Sequence, residues 1–445
     1  MASSRDLSIT CQCGAAKQTV HIREESSDRP QGLYLCHCAM CRHNTGLLCT
    51  SYAAIKIPGS IEGLVAYRSR PSGAGTSTRF FCTTCGCHVF RRLELPEHDN
   101  DTEIENGGIR LPTTEQTERW DVATGVIIGP CMDVGKGESS EEEDRMLMRY
   151  TEHINVAGTK DGGLSVFIRS IGNSEVERID PPPNTDLGSF SPRDRSVEKG
   201  EELLNASCHC KTVRFHITRP GAASKLPRSN FPDLMVPYNT GSPLIRNPED
   251  DKWWLRPGLG IPPERNKPGP PQKNELRRYL AGTCACRSCR LISGFEIQTW
   301  AFVPRANIFF HIREGQQSLP TPSSQIIKEA NEAEDMVVPL DFETLPSNIL
   351  TSYESKEGVR REFCSRCGAT VFWRDHWRPE LMDVSVGLLD ADEGARAETW
   401  LDWWTGRVSF AEDAGTGRVG ETAKRAKDLI GSLGEGLRTW GESRK

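Results

Sequence analysis

The chain lacks the features that would place it in a membrane or on nucleic acid. None of its 445 residues falls in an apolar run near the 18 residues that a membrane span needs, and Met1–Thr10 has no apolar signal segment. The 61 acidic side chains outnumber the 55 basic ones, giving a formal charge of −6. That balance disfavours a dedicated nucleic-acid binder. We therefore expect a cytoplasmic protein, with a nuclear location as the alternative, and no membrane partner.

Cysteine, by contrast, is abundant, and 14 of the 17 cysteines form one pattern that occurs twice. The first copy reads Cys11-x-Cys13-Gly14, then Cys36-His37-Cys38-x-x-Cys41-Arg42, then Phe81-Cys82-x-x-Cys85-Gly86. The second copy reads Cys208-x-Cys210, then Cys284-x-Cys286-x-x-Cys289-Arg290, then Phe363-Cys364-x-x-Cys367-Gly368. In a large chain from a reducing compartment, such close pairs indicate metal ligands rather than disulfides.

The repeat sets the predicted domain organisation. We expect a first zinc domain at residues 1–172, a linker at 173–199 that is rich in proline, serine and charge, and a second zinc domain at 200–413. Residues 414–445 should form a helical tail, since Ala426, Leu429, Ile430, Leu433 and Leu437 follow helical spacing. Short alternating or β-branched runs bounded by glycine and proline predict a mainly β fold with long loop insertions.

The copies differ in the length of their insertions. Between Cys210 and Cys284 lie 73 residues, against 22 between Cys13 and Cys36. The extra segment, 218–275, is rich in proline, which removes backbone donors and so disfavours regular sheet or helix. We expect an ordered loop anchored by Trp253 and Trp254, although a lid over the second site is an alternative role for these two rings.

In each copy the first and third motifs supply four sulfurs. Zinc prefers four tetrahedral ligands, and thiolate is one of its usual donors. The predicted closed, structural sites are Cys11, Cys13, Cys82 and Cys85 in the first copy and Cys208, Cys210, Cys364 and Cys367 in the second. A site of this kind contributes its binding energy to folding.

The central motif of each copy supplies only three sulfurs. Cys36, Cys38 and Cys41, or Cys284, Cys286 and Cys289, would leave one zinc position open, which is the pattern of a catalytic site. The cofactor prediction is therefore zinc, up to two ions per domain and four per chain. One zinc with spare thiols, an iron–sulfur cluster and disulfides remain alternatives at this point.

The three motifs together resemble those of the glutathione-dependent formaldehyde-activating enzyme family, also called the centromere-protein-V/GFA family. The sequence Tyr67-x-Ser69 before Arg79-x-Phe81-Cys82 recurs as Tyr353-x-Ser355 before Arg361-x-Phe363-Cys364, and Asp121-Val-Ala-Thr-Gly125 parallels Asp383-Val-Ser-Val-Gly387. The chain looks like a tandem member. The resemblance implies a β-tent fold in each copy, a second zinc facing a thiol-binding cleft, and carbon–sulfur lyase activity that joins glutathione to formaldehyde.

The second copy departs from this pattern. Ala285 replaces His37, Lys211 replaces Gly14, and Trp400 is expected where the first copy has His153. The first open site is therefore the better candidate, with His37 as a proton carrier or an orienting residue. Arg42 and Arg290 are candidates for holding a carboxylate of glutathione.

The leading functional hypothesis is a zinc-dependent carbon–sulfur lyase, similar to S-hydroxymethylglutathione synthase, that acts on glutathione-like thiol adducts. The predicted catalytic residues are Cys36, Cys38, Cys41, His37 and Arg42. The alternatives are a non-catalytic thiol-binding zinc protein and a chromatin or protein-interaction module. The expected partner is a small-molecule thiol.

Overall fold

The computed structural model describes residues 5–23, 29–69, 76–94, 118–131, 146–180, 202–259, 276–313 and 335–444. The fold is mainly β, as predicted, with a C-terminal helix. The predicted linker is shorter than expected, because strands continue to Ile179. The remainder of that linker, and residues 260–275 of the proline-rich insertion, lie outside the described residues. No helix in the described ranges is long and apolar enough to cross a bilayer.

In the described ranges the first copy is built from three small sheets and a two-stranded pair, β11-β12. One has the order β2-β1-β9, the second β4-β8-β7-β6-β5 and the third β13-β10-β3. The elements are β1 (Asp6–Ile9), β2 (Gln18–His21), β3 (Gln31–Cys36), α1 (Ala39–Thr45), β4 (Tyr52–Ile55), β5 (Leu64–Ser69), β6 (Ser77–Cys82), β7 (His88–Glu94), β8 (Glu118–Ala123), β9 (Ile127–Pro130), β10 (Met148–Ile154), β11 (Ser170–Ile171), β12 (Ser174–Glu175) and β13 (Glu177–Ile179).

The second copy repeats this plan with extended sheets. One sheet has the order β20-β19-β15-β14-β25, and the other runs β16-β17-β18-β24-β23-β22-β21 with β26 beside β17. The elements are β14 (Leu203–Ser207), β15 (Arg214–Thr218), β16 (Leu255–Pro257), β17 (Leu276–Cys284), α2 (Arg287–Ser293), β18 (Gln298–Pro304), β19 (Ile308–Ile312), β20 (Met336–Pro339), β21 (Leu350–Lys356), β22 (Val359–Cys364), β23 (Thr370–Asp375), β24 (Leu381–Ser385), β25 (Leu389–Asp390), β26 (Leu401–Trp403) and α3 (Gly420–Glu442).

The proline-rich insertion departs from the prediction in one element, the short strand β16, which pairs with β17 at the edge of the sheet, where proline is tolerated. The rest of its described part forms turns and single-turn 3₁₀ helices. Both of its tryptophans are buried, as expected, with the indole N–H groups of Trp253 and Trp254 donating to the carbonyls of Asn230 and Ser224. The two rings are therefore anchors of the loop. Helix α3 buries its predicted apolar stripe, Ala426, Leu429, Ile430, Leu433 and Leu437. This face packs on the chain's own core rather than on a membrane surface.

The two copies pack against each other like the halves of a symmetric dimer. The backbone N–H of Gln12 donates to the carbonyl of Leu291, and reciprocally the N–H of His209 donates to the carbonyl of His43. Phe81 meets Phe363 edge to face, with ring centroids 6.5 Å apart. Reciprocal contacts of this kind define an isologous interface. The two copies therefore share one contiguous buried core.

Two glycines bring the helices close to the opposite copy. Gly46 and Gly294 end α1 and α2 with φ of +79°, where glycine is favoured. The carbonyl of Gly46 accepts from the N–H of Gly387, and that of Gly294 accepts from the N–H of Gly125. The glycines are therefore turn residues, as expected, and they also permit a close approach between backbones.

Candidate zinc and thiol sites

The four sulfurs of Cys11, Cys13, Cys82 and Cys85 lie within 4.8 Å of one another. The Sγ atom of Cys13 is 3.5 Å from the Sγ atoms of both Cys11 and Cys82. A tetrahedral zinc with Zn–S bonds of about 2.3 Å separates its sulfurs by about 3.8 Å. The group therefore has the donor set and spacing of a closed zinc site, and its sulfurs are too far apart for disulfides, whose S–S bond is about 2.05 Å.

The second copy builds the same group. The sulfurs of Cys208, Cys210 and Cys364 are 3.3, 3.5 and 3.6 Å apart, and that of Cys367 lies within 4.8 Å of each of them. Lys211 takes the left-handed backbone, φ +59°, that Gly14 takes at +86° in the first copy. The replacement of glycine at this turn therefore leaves the cysteine geometry intact. The two four-cysteine groups are where the sequence predicts them.

Each closed group is also covered by a tyrosine from the opposite copy. The hydroxyl of Tyr67 lies 2.7 Å from Nδ1 of His209, the residue between the two ligands of the second copy's first motif. Burial, followed by the charges of Cys85 and Cys13, raises the pKa of Tyr353. Since the charges of these two cysteines act on its hydroxyl, Tyr353 lies beside the four-cysteine group of the first copy. The interface and the two structural sites are therefore adjacent.

The first three-cysteine cluster forms where β3 meets α1. The Sγ atoms of Cys36 and Cys38 are 3.6 Å apart, and Cys38 caps α1 by accepting from the backbone N–H of Cys41 at 3.4 Å. The cap explains the local fold, because a residue at this position satisfies an otherwise unpaired helix N–H. All three sulfurs lie within 4.8 Å of one another. The donor set therefore fits a zinc ion with a fourth, non-protein ligand.

Two polar side chains on this cluster have no role in the sequence prediction. Arg79 is 1% exposed and donates from Nη2 to the sulfur of Cys41 at 3.1 Å and from Nη1 to the hydroxyl of Tyr52. The side chain of Asn155 donates to the sulfur of Cys36 at 3.4 Å. Three thiolates around one divalent ion carry a net charge of −1, which the Arg79 guanidinium balances. The recurrence of arginine before Phe-Cys in both copies was the available signal for Arg79.

His37 is held in a buried pair with His153. Their facing nitrogens are 2.9 Å apart, and Nε2 of His153 lies 2.6 Å from the carbonyl oxygen of Ile168. His153 must therefore donate to that carbonyl and accept from His37. Burial lowers the pKa of His153 to about 4, and burial followed by the charge of His153 lowers that of His37. Both rings are neutral at pH 7, and the pair fixes the backbone between two predicted ligands.

Arg42 and Arg290 occupy equivalent places but have different partners. Arg290 donates to the carbonyls of Gly125, at 2.5 Å, and Thr416, at 3.0 Å. Arg42 is 7% exposed, and its Nε and Nη1 atoms are buried without a hydrogen-bond partner among the described residues. Burial lowers the pKa of Arg42, and the charges of Asp390, Asp161 and Cys38 oppose that effect. Among the described residues, Arg42 has two buried donors without a partner, Nε and Nη1, whereas Arg290 has one, Nε.

The second three-cysteine cluster keeps its geometry. Cys286 caps α2 by accepting from the N–H of Cys289 at 3.3 Å, and Arg361 donates to the sulfur of Cys289 at 3.5 Å. Trp300, Trp373 and Phe410 pack against the three sulfurs. In the first copy, the places of Trp300 and Trp373 are taken by Tyr52 and Arg91. The second cluster therefore has an aromatic surround where the first has a polar one.

The prediction that Trp400 takes the place of His153 is wrong. In the first copy Ile154 is the parallel strand-pairing partner of Cys36, and in the second copy Ser409 is the parallel strand-pairing partner of the equivalent residue, Cys284. His153 therefore corresponds to Val408. Both members of the histidine pair have apolar counterparts in the second copy, Ala285 and Val408, so no polar group is left unpaired there.

By the same strand pairing, Asn155 of the first copy is equivalent to Phe410 of the second. Both residues have left-handed backbones, with φ of +59° and +52°. The asparagine that donates to a cysteine sulfur in the first copy is therefore a phenylalanine in the second. The polar neighbours that distinguish the first cluster, apart from the arginine before Phe-Cys, are absent from the second.

One known family matches the first copy. Residues 6–121 fit the model of the family described as glutathione-dependent formaldehyde-activating enzyme. The similarity to this family covers that segment alone. The match ends before His153 and does not include the second copy, whose relation to the first rests on the shared cysteine groups and strand order. No curated protein and no solved structure matches the chain significantly.

Proposed function

We propose that the first three-cysteine cluster carries out carbon–sulfur lyase chemistry on adducts of a glutathione-like thiol. The observation that carries the proposal is Arg42, a buried cation whose Nε and Nη1 donors have no hydrogen-bond partner in the described part of the chain, although the charges of Asp390, Asp161 and Cys38 act on it. Burying a charge without an acceptor is costly. A carboxylate of the substrate would supply the missing acceptor, and glutathione carries two carboxylates and one thiol.

The surroundings of the cluster suit this reaction. With zinc bound, the three thiolates leave one ligand position that can take a substrate sulfur and hold it as thiolate. Arg79 balances the excess negative charge, and Asn155 donates to Cys36. We assign His37 to positioning the ligands, because its pair with His153 holds it neutral and its Nδ1 atom packs against Gly163.

The proposed reaction forms one carbon–sulfur bond. The thiolate sulfur attacks the aldehyde carbon, the carbonyl electron pair moves to the oxygen, and the oxygen takes up the proton that the thiol lost. The product is an S-hydroxymethyl thiol, and the reverse reaction releases the aldehyde. No oxidant or reductant is needed.

Turnover of glutathione with formaldehyde, above the spontaneous rate and with zinc content verified, tests the proposal. Cys38→Ser should abolish the enzymatic rate, and Cys286→Ser, the matched change at the second cluster, should leave most of it. A wild-type rate equal to the background would overturn the proposal for this substrate pair. If calorimetry then detected glutathione binding without turnover, the non-catalytic thiol-binding alternative would be favoured.

The two arginines provide a second comparison. Arg42→Ala removes the proposed carboxylate contact and should raise KM for glutathione about tenfold or more, because a charge-assisted hydrogen bond contributes about 1.5–3 kcal/mol. Arg290→Ala leaves two backbone carbonyls without a donor and should lower stability instead. Equal KM values in wild type and Arg42→Ala would remove this residue from the site.

A further inference from the structure

A cleft of about 260 Å³ lies between the proline-rich insertion and the chain that follows β23. The insertion contributes Arg228, Asn230 and Tyr238, and the other wall is formed by Asp375, Trp377 and Arg378. The insertion is the segment that the second copy has and the first lacks. The cleft is therefore a property of this copy alone.

Hydrogen bonds to one buried carboxylate hold the walls of the cleft in place. The carboxylate of Asp233, which is buried, accepts from the hydroxyl of Ser409 at 3.0 Å and from the backbone N–H of Phe410 at 2.8 Å. It also accepts from the backbone N–H of Tyr238 at 3.0 Å. Asp233 thus holds Phe410 in its left-handed conformation, a strained state that occurs where the surroundings impose it. The insertion is bonded to the wall of the second open cluster.

The cleft lies next to that cluster. Phe410 packs against the three cysteines, and its ring centroid is 6.0 Å from that of Tyr238, which lines the cleft. On the other side, the guanidinium of Arg378 lies 4.7 Å from the ring centroid of Trp373, which also packs against the cysteines. One layer of side chains therefore separates the cleft from the sulfurs.

One cationic group of the cleft has no ion-pair partner among the described residues. Arg378 pairs with Asp383 at 2.8 Å and with Asp375 at 3.4 Å, so its charge is already compensated. Arg228 is exposed and forms no ion pair within the described ranges. Two aromatic faces lie open beside it, since Trp377 is 64% and Tyr238 46% exposed. An uncompensated guanidinium beside exposed rings suits a ligand that has both an anionic group and a flat apolar one.

We propose that this cleft binds a small aromatic carboxylate, with its ring on Trp377 and Tyr238 and its carboxylate on Arg228. The volume is below the roughly 300–1,000 Å³ of pockets for drug-sized ligands, which limits the ligand to about one ring and a short acid chain. The second copy is then a site with its own ligand rather than a duplicate of the first. The proposal concerns binding alone, so it stands or falls independently of the lyase activity.

Calorimetry on the full, zinc-loaded chain tests the proposal with 3-phenylpropionate as the probe. We expect saturable binding of one molecule per chain, weakened about tenfold or more when 3-cyclohexylpropionate removes the aromatic ring or 3-phenylpropanol removes the charge. Arg228→Ala and Trp377→Ala should each weaken binding of 3-phenylpropionate. Arg246→Ala, which removes another exposed arginine of the same insertion, should not.

The outcomes separate clearly. Because Arg228 and Trp377 are exposed, both variants should fold, and their melting temperatures verify this. No saturable binding to the wild-type chain would overturn the proposal. Equal losses of affinity in Arg228→Ala and Arg246→Ala would also overturn it, since the effect would then reflect the overall charge of the protein rather than the cleft.

Discussion

Replacing Gly46 by alanine tests whether the two copies fold as one unit. This glycine ends α1 at φ +79°, and a Cβ atom there would lie 2.2 Å from the carbonyl oxygen of Thr370 and 3.2 Å from Cβ of Ser385. Both neighbours belong to the second copy. The contact is with backbone at its closest point, so a side-chain rotation cannot relieve it.

The cost has two parts. Alanine in the left-handed region costs roughly 1–2 kcal/mol relative to its usual conformation. Overpacking at a close contact adds roughly 1–3 kcal/mol. We therefore expect Gly46→Ala to lower the free energy of unfolding by roughly 2–5 kcal/mol. Gly63→Ala is the matched control, because Gly63 has φ +71° but nothing within 4 Å of its virtual Cβ.

Chemical denaturation of the zinc-loaded protein measures the difference. The free energy of unfolding of the control Gly63→Ala should fall only by the conformational part, and that of Gly46→Ala should fall clearly more. Gly294→Ala, whose Cβ would lie 2.3 Å from the carbonyl oxygen of His88, should repeat the effect from the other side. Equal losses in Gly46→Ala and Gly63→Ala would show that the copies do not hold each other at this contact, and the single-unit interpretation would be wrong.

Two further predictions concern buried polar pairs. His37→Ala and His153→Val should each lower the free energy of unfolding by about 1–3 kcal/mol beyond the lost packing, because each leaves one buried ring nitrogen unpaired. The double variant should lose less than the sum of the two, since the second copy has the apolar residues Ala285 and Val408 at these positions. Additive losses in chemical denaturation would contradict the pairing of the two rings. Burial acts to raise the pKa of Glu296, but the charge of Arg418 at 2.9 Å more than offsets it, so the net pKa is lowered. This carboxylate stabilises the fold fully above its unfolded pKa of about 4.3 and loses the contribution as pH falls through the lower, folded value. Glu296→Gln should therefore be less stable than wild type at pH 7, with a gap that narrows in acid denaturation; a gap independent of pH would contradict the assignment.

The cysteine groups could be predicted from the sequence because their chemistry is local. Cys-x-Cys places two sulfurs on one face of a strand, and Cys-x-x-Cys places two at one turn, so spacing alone sorts the ligands. The buried stripe of α3 was predictable for the same reason, since a period of 3.6 fixes which residues face inwards. The grouping of the cysteines and the buried face of α3 therefore follow from spacing along the chain alone.

The roles that depend on register across the fold could not be predicted. The counterpart of His153 is set by which residue pairs with the end of β17, and a longer connection before Val408 hides it from sequence comparison. The different partners of Arg42 and Arg290 are likewise invisible, because both follow the same motif and differ only in what the opposite copy and the tail present to them. No spacing rule reports such contacts.

The zinc content of the purified chain decides whether all four cysteine groups are metal sites. We expect four zinc ions per chain, one for each cysteine group. We also expect Cys38→Ser to release one ion without unfolding the protein, since only the open cluster of the first copy is lost. Two ions per chain, unchanged in Cys38→Ser, would mean that the three-cysteine clusters do not hold metal and would contradict the proposed thiol chemistry.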